Sequence, residues 1–155
     1  MAFDSTISGT DSNSYISVAV ADAYFAFHLD GVQFWNSLPT VTKQAALVQA
    51  TNRLDAENYS GRITVNDQRL QWPRSFVADR KADSFIDNDK IPRELVDATC
   101  EMALHYLKVQ AGEFTVDEND LEALKTMKIG PIDVTIKDNI KADRLPSRVK
   151  TILLS

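Results

Sequence analysis

A chain of 155 residues has the length of one domain, enough to bury roughly two-thirds of the surface its unfolded form would expose. With 44% apolar and 25% charged residues it is too apolar to be disordered, and its single cysteine, Cys100, excludes an internal disulfide framework. The net charge of -5 divides unevenly: residues 1 to 124 hold 10 Lys and Arg against 19 Asp and Glu, a balance of -9, and residues 125 to 155 hold 7 against 3, a balance of +4.

Residues 1 to 14, MAFDSTISGTDSNS, are polar without period and predict an extended or mobile arm. They lack the basic-then-apolar order of a signal peptide, and no apolar run reaches the length of a membrane span, so a cytoplasmic protein is expected. Ser17 is placed to cap a first helix through VAVADAYFAFHL, on which Val18, Ala21, Phe25 and Leu29 form one apolar face, with Gly31 as its stop. Past Leu38-Pro39, Thr40 or Thr42 is positioned to cap a second helix, TKQAALVQATNRLDAEN. Leu47, Ala50 and Leu54 share its apolar stripe, Lys43, Gln44, Asn52 and Arg53 lie off it, and Tyr59-Ser60-Gly61 ends it.

Residues 61–90 are too many for a bare connection. Arg62 to Val65 and Arg69 to Trp72 are expected to pair as a hairpin about Asn66-Asp67, followed by a charged excursion, VADRKADSFIDNDK, of the kind that carries outside contacts. A third helix starts with Pro92 in its first turn and Glu94 at the positive end of its dipole, and runs to about Val109 before Gly112. Only a narrow stripe of Glu94, Asp97, Glu101, His105 and Lys108 is polar, which predicts a helix in the middle of the packing. Beyond it, Glu118 to Met127 predicts a short fourth helix. Ile132, Val134 and Ile136 alternate with Asp133, Thr135 and Lys137 as in a strand that needs a partner, and SRVKTILLS predicts a last turn or two of helix. The expected fold is mainly α: a small helical bundle around a central third helix, with a short β-hairpin in the long loop and a C-terminal strand-containing arm. Its expected division is an N-terminal arm, 1–14, a helical body, 15–127, with the inserted loop 61–90, and a C-terminal arm, 128–155.

An enzyme of hydrolysis or group transfer needs a nucleophile, a base and usually a glycine-shaped cradle. This chain has two histidines, five glycines, and neither a phosphate loop, a dinucleotide fingerprint nor a histidine pair one turn apart. No catalytic residue, cofactor or metal is therefore expected. His28 and His105 read as structural or surface residues and Cys100 as core. The acids from Asp79 to Asp89 lack the glycine and terminal glutamate of a hand-type calcium loop. The unusual stretch is QWPRSF, 71–76, where Trp72, Pro73, Arg74 and Phe76 stand together in a loop. Arginines 62, 69, 74 and 80 interleaved with Trp72 and Phe76 are the side chains that grip single strands. The other reading packs both rings against the core while Arg74 pairs with a nearby acid, and the acidic balance favours it.

Five runs in order and spacing, SYISVAVADAYF (14–25), KQAALVQATNRLD (43–55), LQWPRS (70–75), IPRELVDATCEMAL (91–104) and KIGPIDVTI (128–136), resemble a phage and prophage family. Its members are labelled either DnaT-like single-stranded-DNA-binding proteins or head-to-tail adaptor (connector) proteins. Val20 stands where the family often has an acid, and the loop from Val77 to Lys90 is variable in it. The adaptor label implies a twelvefold ring under the portal protein, extending the DNA channel and docking the next neck or tail protein, with no enzymatic activity and no cofactor. It places the protein in the host cytoplasm during assembly and then in the virion neck, away from membranes. The replication label implies a protein that coats single strands.

The charge division favours the adaptor, since a ring whose lumen lets double-stranded DNA slide must not neutralise many phosphates. On that expectation Trp72, Pro73, Arg74 and Phe76 anchor the excursion or a subunit contact by burying both rings. The C-terminal arm then docks on the portal or on a neighbouring subunit through Ile132, Val134, Ile136, Lys137, Arg144, Arg148 and Lys150, its strand completed across subunits. Single-stranded DNA binding is the alternative.

Overall fold

In a computed structural model that describes residues 2–79, 82–112, 149, 152 and 153, the Ser17 hydroxyl accepts from the Val20 N–H and opens α1, Val18–Phe25. This helix stops four residues before the expected apolar position Leu29. Phe27 and Leu29 are 96% and 93% exposed, and Gly31, expected to end the helix, instead precedes a second short helix, α2, Val32–Asn36. The reversal brings Trp35 back onto α1: its ring lies 4.5 Å from Phe25, and its indole N–H donates to Asp22 at 2.7 Å. Gly31 sits where a Cβ would come within 3.0 to 3.2 Å of His28, Leu104 and Phe25, so the close approach requires the missing side chain.

The expected second helix is α3, Thr40–Asp55, with Pro39 at its N-cap and no side-chain cap. Its stripe of Leu47, Ala50 and Leu54 is fully buried. The helix ends before Tyr59 because the chain turns there, with the Tyr59 hydroxyl donating back to the Leu54 carbonyl at 2.7 Å. Lys43, read as off the stripe, is nevertheless buried. Its ammonium donates to Asp22 at 2.9 Å and lies 5.3 Å from the Trp35 ring. Burial works to raise the Asp22 carboxyl, but the bonds from Lys43 and Trp35 outweigh it and hold the group below the ordinary carboxylate range.

The central helix of the sequence pattern is α4, Arg93–Gln110, capped at Pro92 and followed by Gly112 in the left-handed region. No position from Glu94 to Lys108 is exposed, which makes α4 the middle of the packing. The start of α3 and the end of α4 line one open groove of about 680 Å³ between Val41, Ala45, Tyr106 and Val109. Glu101 departs from its expected place on a wet stripe. It is buried because the Tyr24 hydroxyl of α1, at 2.6 Å, and His28 Nε2 of the turn after α1, at 2.8 Å, both reach it. Cys100 is buried beside it, and burial pushes its thiol far above the ordinary range, as expected of a packing residue.

The N-terminal segment is docked on the body. Asn13 and Ser14 donate to the Asp4 carbonyl, the Asn13 side chain closes the loop at Asp4 N and Ala2 O, and Tyr15 and Ile16 enter the core. At the other end of the chain Val149 is helical and buried, with Ile152 and Leu153 packed beside it at three- and four-residue spacing. The expected helix from Glu118 to Met127 and strand from Ile132 to Ile136 lie outside the described residues. The described part is thus mainly helical, four helices with one two-stranded antiparallel hairpin, as the sequence pattern predicts.

Candidate nucleic-acid interface

The long loop is built on a hairpin whose register differs from the expected one. β1, Arg62–Ile63, pairs with β2, Arg74–Ser75, placing Arg62 opposite Ser75 and Ile63 opposite Arg74; Arg69 to Trp72 form no strand. Gln68 is the cause. Its carboxamide oxygen accepts from Val65 N at 3.0 Å, and its NH₂ donates to the carbonyls of Leu70 at 2.7 Å and Pro73 at 3.0 Å. This folds 65–73 into a closed turn in which Leu70 and Trp72 face the core instead of pairing.

Three of the four residues singled out in QWPRSF are interior. Trp72 is buried with its ring edge-on to Tyr59 at 5.6 Å, and its indole N–H is buried without a partner among the described residues. Pro73 is fully buried after a cis peptide bond. Arg74 is also buried, but among the described residues the carboxylate partner expected for it is absent, and the acceptors of its guanidinium there are amide oxygens. Nε donates to Ser60 O at 2.7 Å, Nη2 to Gly61 O at 2.9 Å, and Nη1 to the Gln71 side chain at 2.6 Å, with longer contacts to Gln71 O and Tyr59 O. The planar fork thereby ties β2 to the chain leaving α3.

Phe76 does the opposite of what was expected. It is 65% exposed and holds a left-handed backbone, φ +62°, that bulky residues avoid. The bridge between Ala78 and Phe85, with Ile86 N donating to Val77 O and Asp79 N to Ser84 O at 2.9 Å each, returns a second ring to it. The Phe85 ring, 63% exposed, meets Phe76 edge to face at 6.2 Å, and the Arg62 guanidinium lies 5.5 Å from the Phe76 ring centre. Sequence reading missed Phe85, whose only signal was an aromatic residue inside an otherwise polar excursion. Of the interleaved arginines, Arg62 reaches the exposed rings while Arg74 does not. The arm positions Ile132, Val134, Ile136, Lys137, Arg144, Arg148 and Lys150 lie outside the described residues.

Charge singles out the same loop. Residues 61–90 hold six basic against five acidic side chains, a balance of +1, whereas residues 1–60 hold two against six and residues 91–124 two against eight. Two solvent-facing rings with a stacked cation, on the one stretch of the first 124 residues that is not acidic, can offer π-faces to a planar ligand without strong repulsion of an anion.

Fold and site together define a small, mainly helical domain that presents an aromatic and cationic tip on a hairpin-based loop. The family described as "Putative DnaT-like ssDNA binding protein" matches residues 1–154, and the chain belongs to that family. No curated protein and no solved structure matches the chain.

Proposed function

We propose that the protein binds single-stranded DNA, with the tip of the 61–90 loop as its contact surface. The observation that carries this reading is the exposed Phe76–Phe85 pair with Arg62 stacked on it, the combination by which unpaired bases are held. The family's description supports it. Titration of a labelled oligothymidylate with the full-length chain tests it: saturable binding is expected, and no response up to about 100 µM protein, the weak end of non-specific binding, refutes it.

A second reading, the head-to-tail adaptor, is favoured by a different observation. Phe27 and Leu29 stand almost fully exposed at the α1–α2 turn, and adjacent exposed apolar side chains suit a protein contact. On this reading the chain forms a twelvefold ring that meets the portal protein and the next neck or tail protein, and double-stranded DNA slides through it unbound. Native mass spectrometry of the chain mixed with the portal ring of the same genome tests it. One copy per portal subunit is expected, and an unoccupied portal beside free chain refutes it.

A further inference from the structure

We infer that the Phe76–Phe85 pair is a base-stacking platform for one or two unpaired nucleobases, with the strand's phosphates left largely in solvent. This rests on the single-strand reading above and specifies which part of the ligand is recognised.

The argument for bases is geometric. Phe76 and Phe85 are roughly two-thirds exposed and nearly perpendicular, 86° apart. The pair fills one edge-to-face contact and Arg62 covers part of Phe76, which leaves exposed ring surface on which a base can lie. The backbone is arranged to hold this shape. Phe76 is in a left-handed conformation, and the returning segment is tethered by the Thr64 hydroxyl donating to Asn88 O at 3.1 Å and by the Asn88 side chain at Ser75 Oγ, 3.4 Å. A strained φ on an exposed aromatic residue is the kind of outlier that marks a contact site.

The argument against phosphates is electrostatic. Arg62 has no carboxylate partner among the described residues, but its guanidinium is already engaged with the Phe76 ring. Lys90 is paired with Asp87 at 2.9 Å, Arg93 faces Asp97, and Arg74 is buried under amide oxygens. The excursion 77–90 holds four acids, Asp79, Asp83, Asp87 and Asp89, against three bases, Arg80, Lys81 and Lys90. Arg69 donates to the Asp11 carbonyl at 3.5 Å, and Arg80 and Lys81 lie outside the described residues. The described cations would neutralise about one or two phosphates, so affinity should fall with a log–log salt slope of about -0.7 to -1.4. That is about a three- to sevenfold loss between 50 and 200 mM salt, where a groove lined with six free cations would lose more than about a hundredfold. The footprint is short, and affinity should stop rising at oligomers of about four nucleotides.

The experiment is an anisotropy titration of oligothymidylates of increasing length, at two salt concentrations, with the full-length chain and with Phe76→Gly, Phe85→Ser and Arg62→Gln. Phe76→Gly suits the left-handed backbone, and both rings are exposed, so the variants should melt no lower than the wild type. Expected are the shallow salt dependence, early saturation with length, and about a 5- to 100-fold weaker affinity on losing each ring, with a smaller loss for Arg62→Gln. Wild-type binding that is steep in salt, or unchanged in both ring variants, overturns the platform while leaving single-strand binding in place. Absence of wild-type binding at either salt overturns the single-strand reading itself, and the platform with it.

Discussion

Replacing Arg74 by alanine should lower the melting temperature by about 3 to 6 °C. The guanidinium makes three short bonds, at 2.6, 2.7 and 2.9 Å, to the Gln71 side chain and the Ser60 and Gly61 carbonyls. Bonds from a charged donor contribute about 1.5 to 3 kcal/mol each. Ser60 and Gly61 lie at the surface, where water can replace part of what is lost, so the low end applies. Against this stands the cost of keeping the guanidinium buried, several kcal/mol. The net loss is then about 1.5 kcal/mol, and a chain of this size shifts by about 2 to 4 °C per kcal/mol. Arg74→Lys should recover about half, because an ammonium cannot span three divergent acceptors as the planar fork does. Arg74→Met is the decisive variant, since it keeps most of the volume and removes every donor. Its melting curve, by circular dichroism with urea unfolding as a check, should fall close to that of the alanine variant. A methionine variant that melts at or above the wild type would mean that burying the charge costs more than its bonds return, and the reasoning would fail.

Two further perturbations separate packing from backbone conformation in the same loop. Trp72→Ala should cost about 3 to 5 kcal/mol as a buried aromatic truncation, while Trp72→Phe should cost less than about 1.5 kcal/mol because the indole N–H it removes has no partner among the described residues; equal urea midpoints for the two would refute this. Gly61 and Gly112 both have positive φ, but a Cβ at Gly61 would collide with the Ser75 carbonyl and come within 2.9 Å of Val77, whereas nothing lies within 4 Å of Gly112. Gly61→Ala should therefore destabilise by more than about 2 kcal/mol and Gly112→Ala by about 1 kcal/mol, and the reverse order of thermal midpoints would count against the hairpin geometry.

The sequence made α3 and α4 legible because each repeats its apolar spacing over several turns, so Leu47, Ala50, Leu54 and the nearly unbroken burial of α4 could be read from periodicity. α2 could not be read that way, because five residues span less than two turns and Trp35 shows no period of its own. Glu101 was misread for a related reason: pattern assigns a charged side chain to water, whereas Tyr24 from α1 and His28 from the turn after it make its burial tolerable. In the loop the local pattern allowed two registers, and the choice fell to Gln68 and Arg74, whose partners are carbonyls of other segments. Phe76 was expected to be buried and is exposed, and Phe85 became visible only when the Ala78–Phe85 bridge placed it beside Phe76.

The interior and exterior halves of QWPRSF depend on one another. Trp72 and Pro73 enter the core and Arg74 reaches back to Ser60 and Gly61, so β2 lies against β1 with Gly61 pressed on the Ser75 carbonyl. There is no room on that side for another side chain. The next residue, Phe76, turns through a left-handed backbone and faces outward, where Arg62 from the opposite strand covers part of its ring. Exposure of the ring is therefore a consequence of how tightly the preceding residues are held. This arrangement separates the effects of substitution: changes at Trp72, Arg74 or Gly61 act on stability and carry any ligand binding with them, whereas changes at Phe76 or Phe85 act on binding in a protein that melts normally. A ring variant that unfolds would show that the frame depends on the tip, and a frame variant that melts early yet binds normally when folded in the cold would show that the tip does not depend on the frame beneath it.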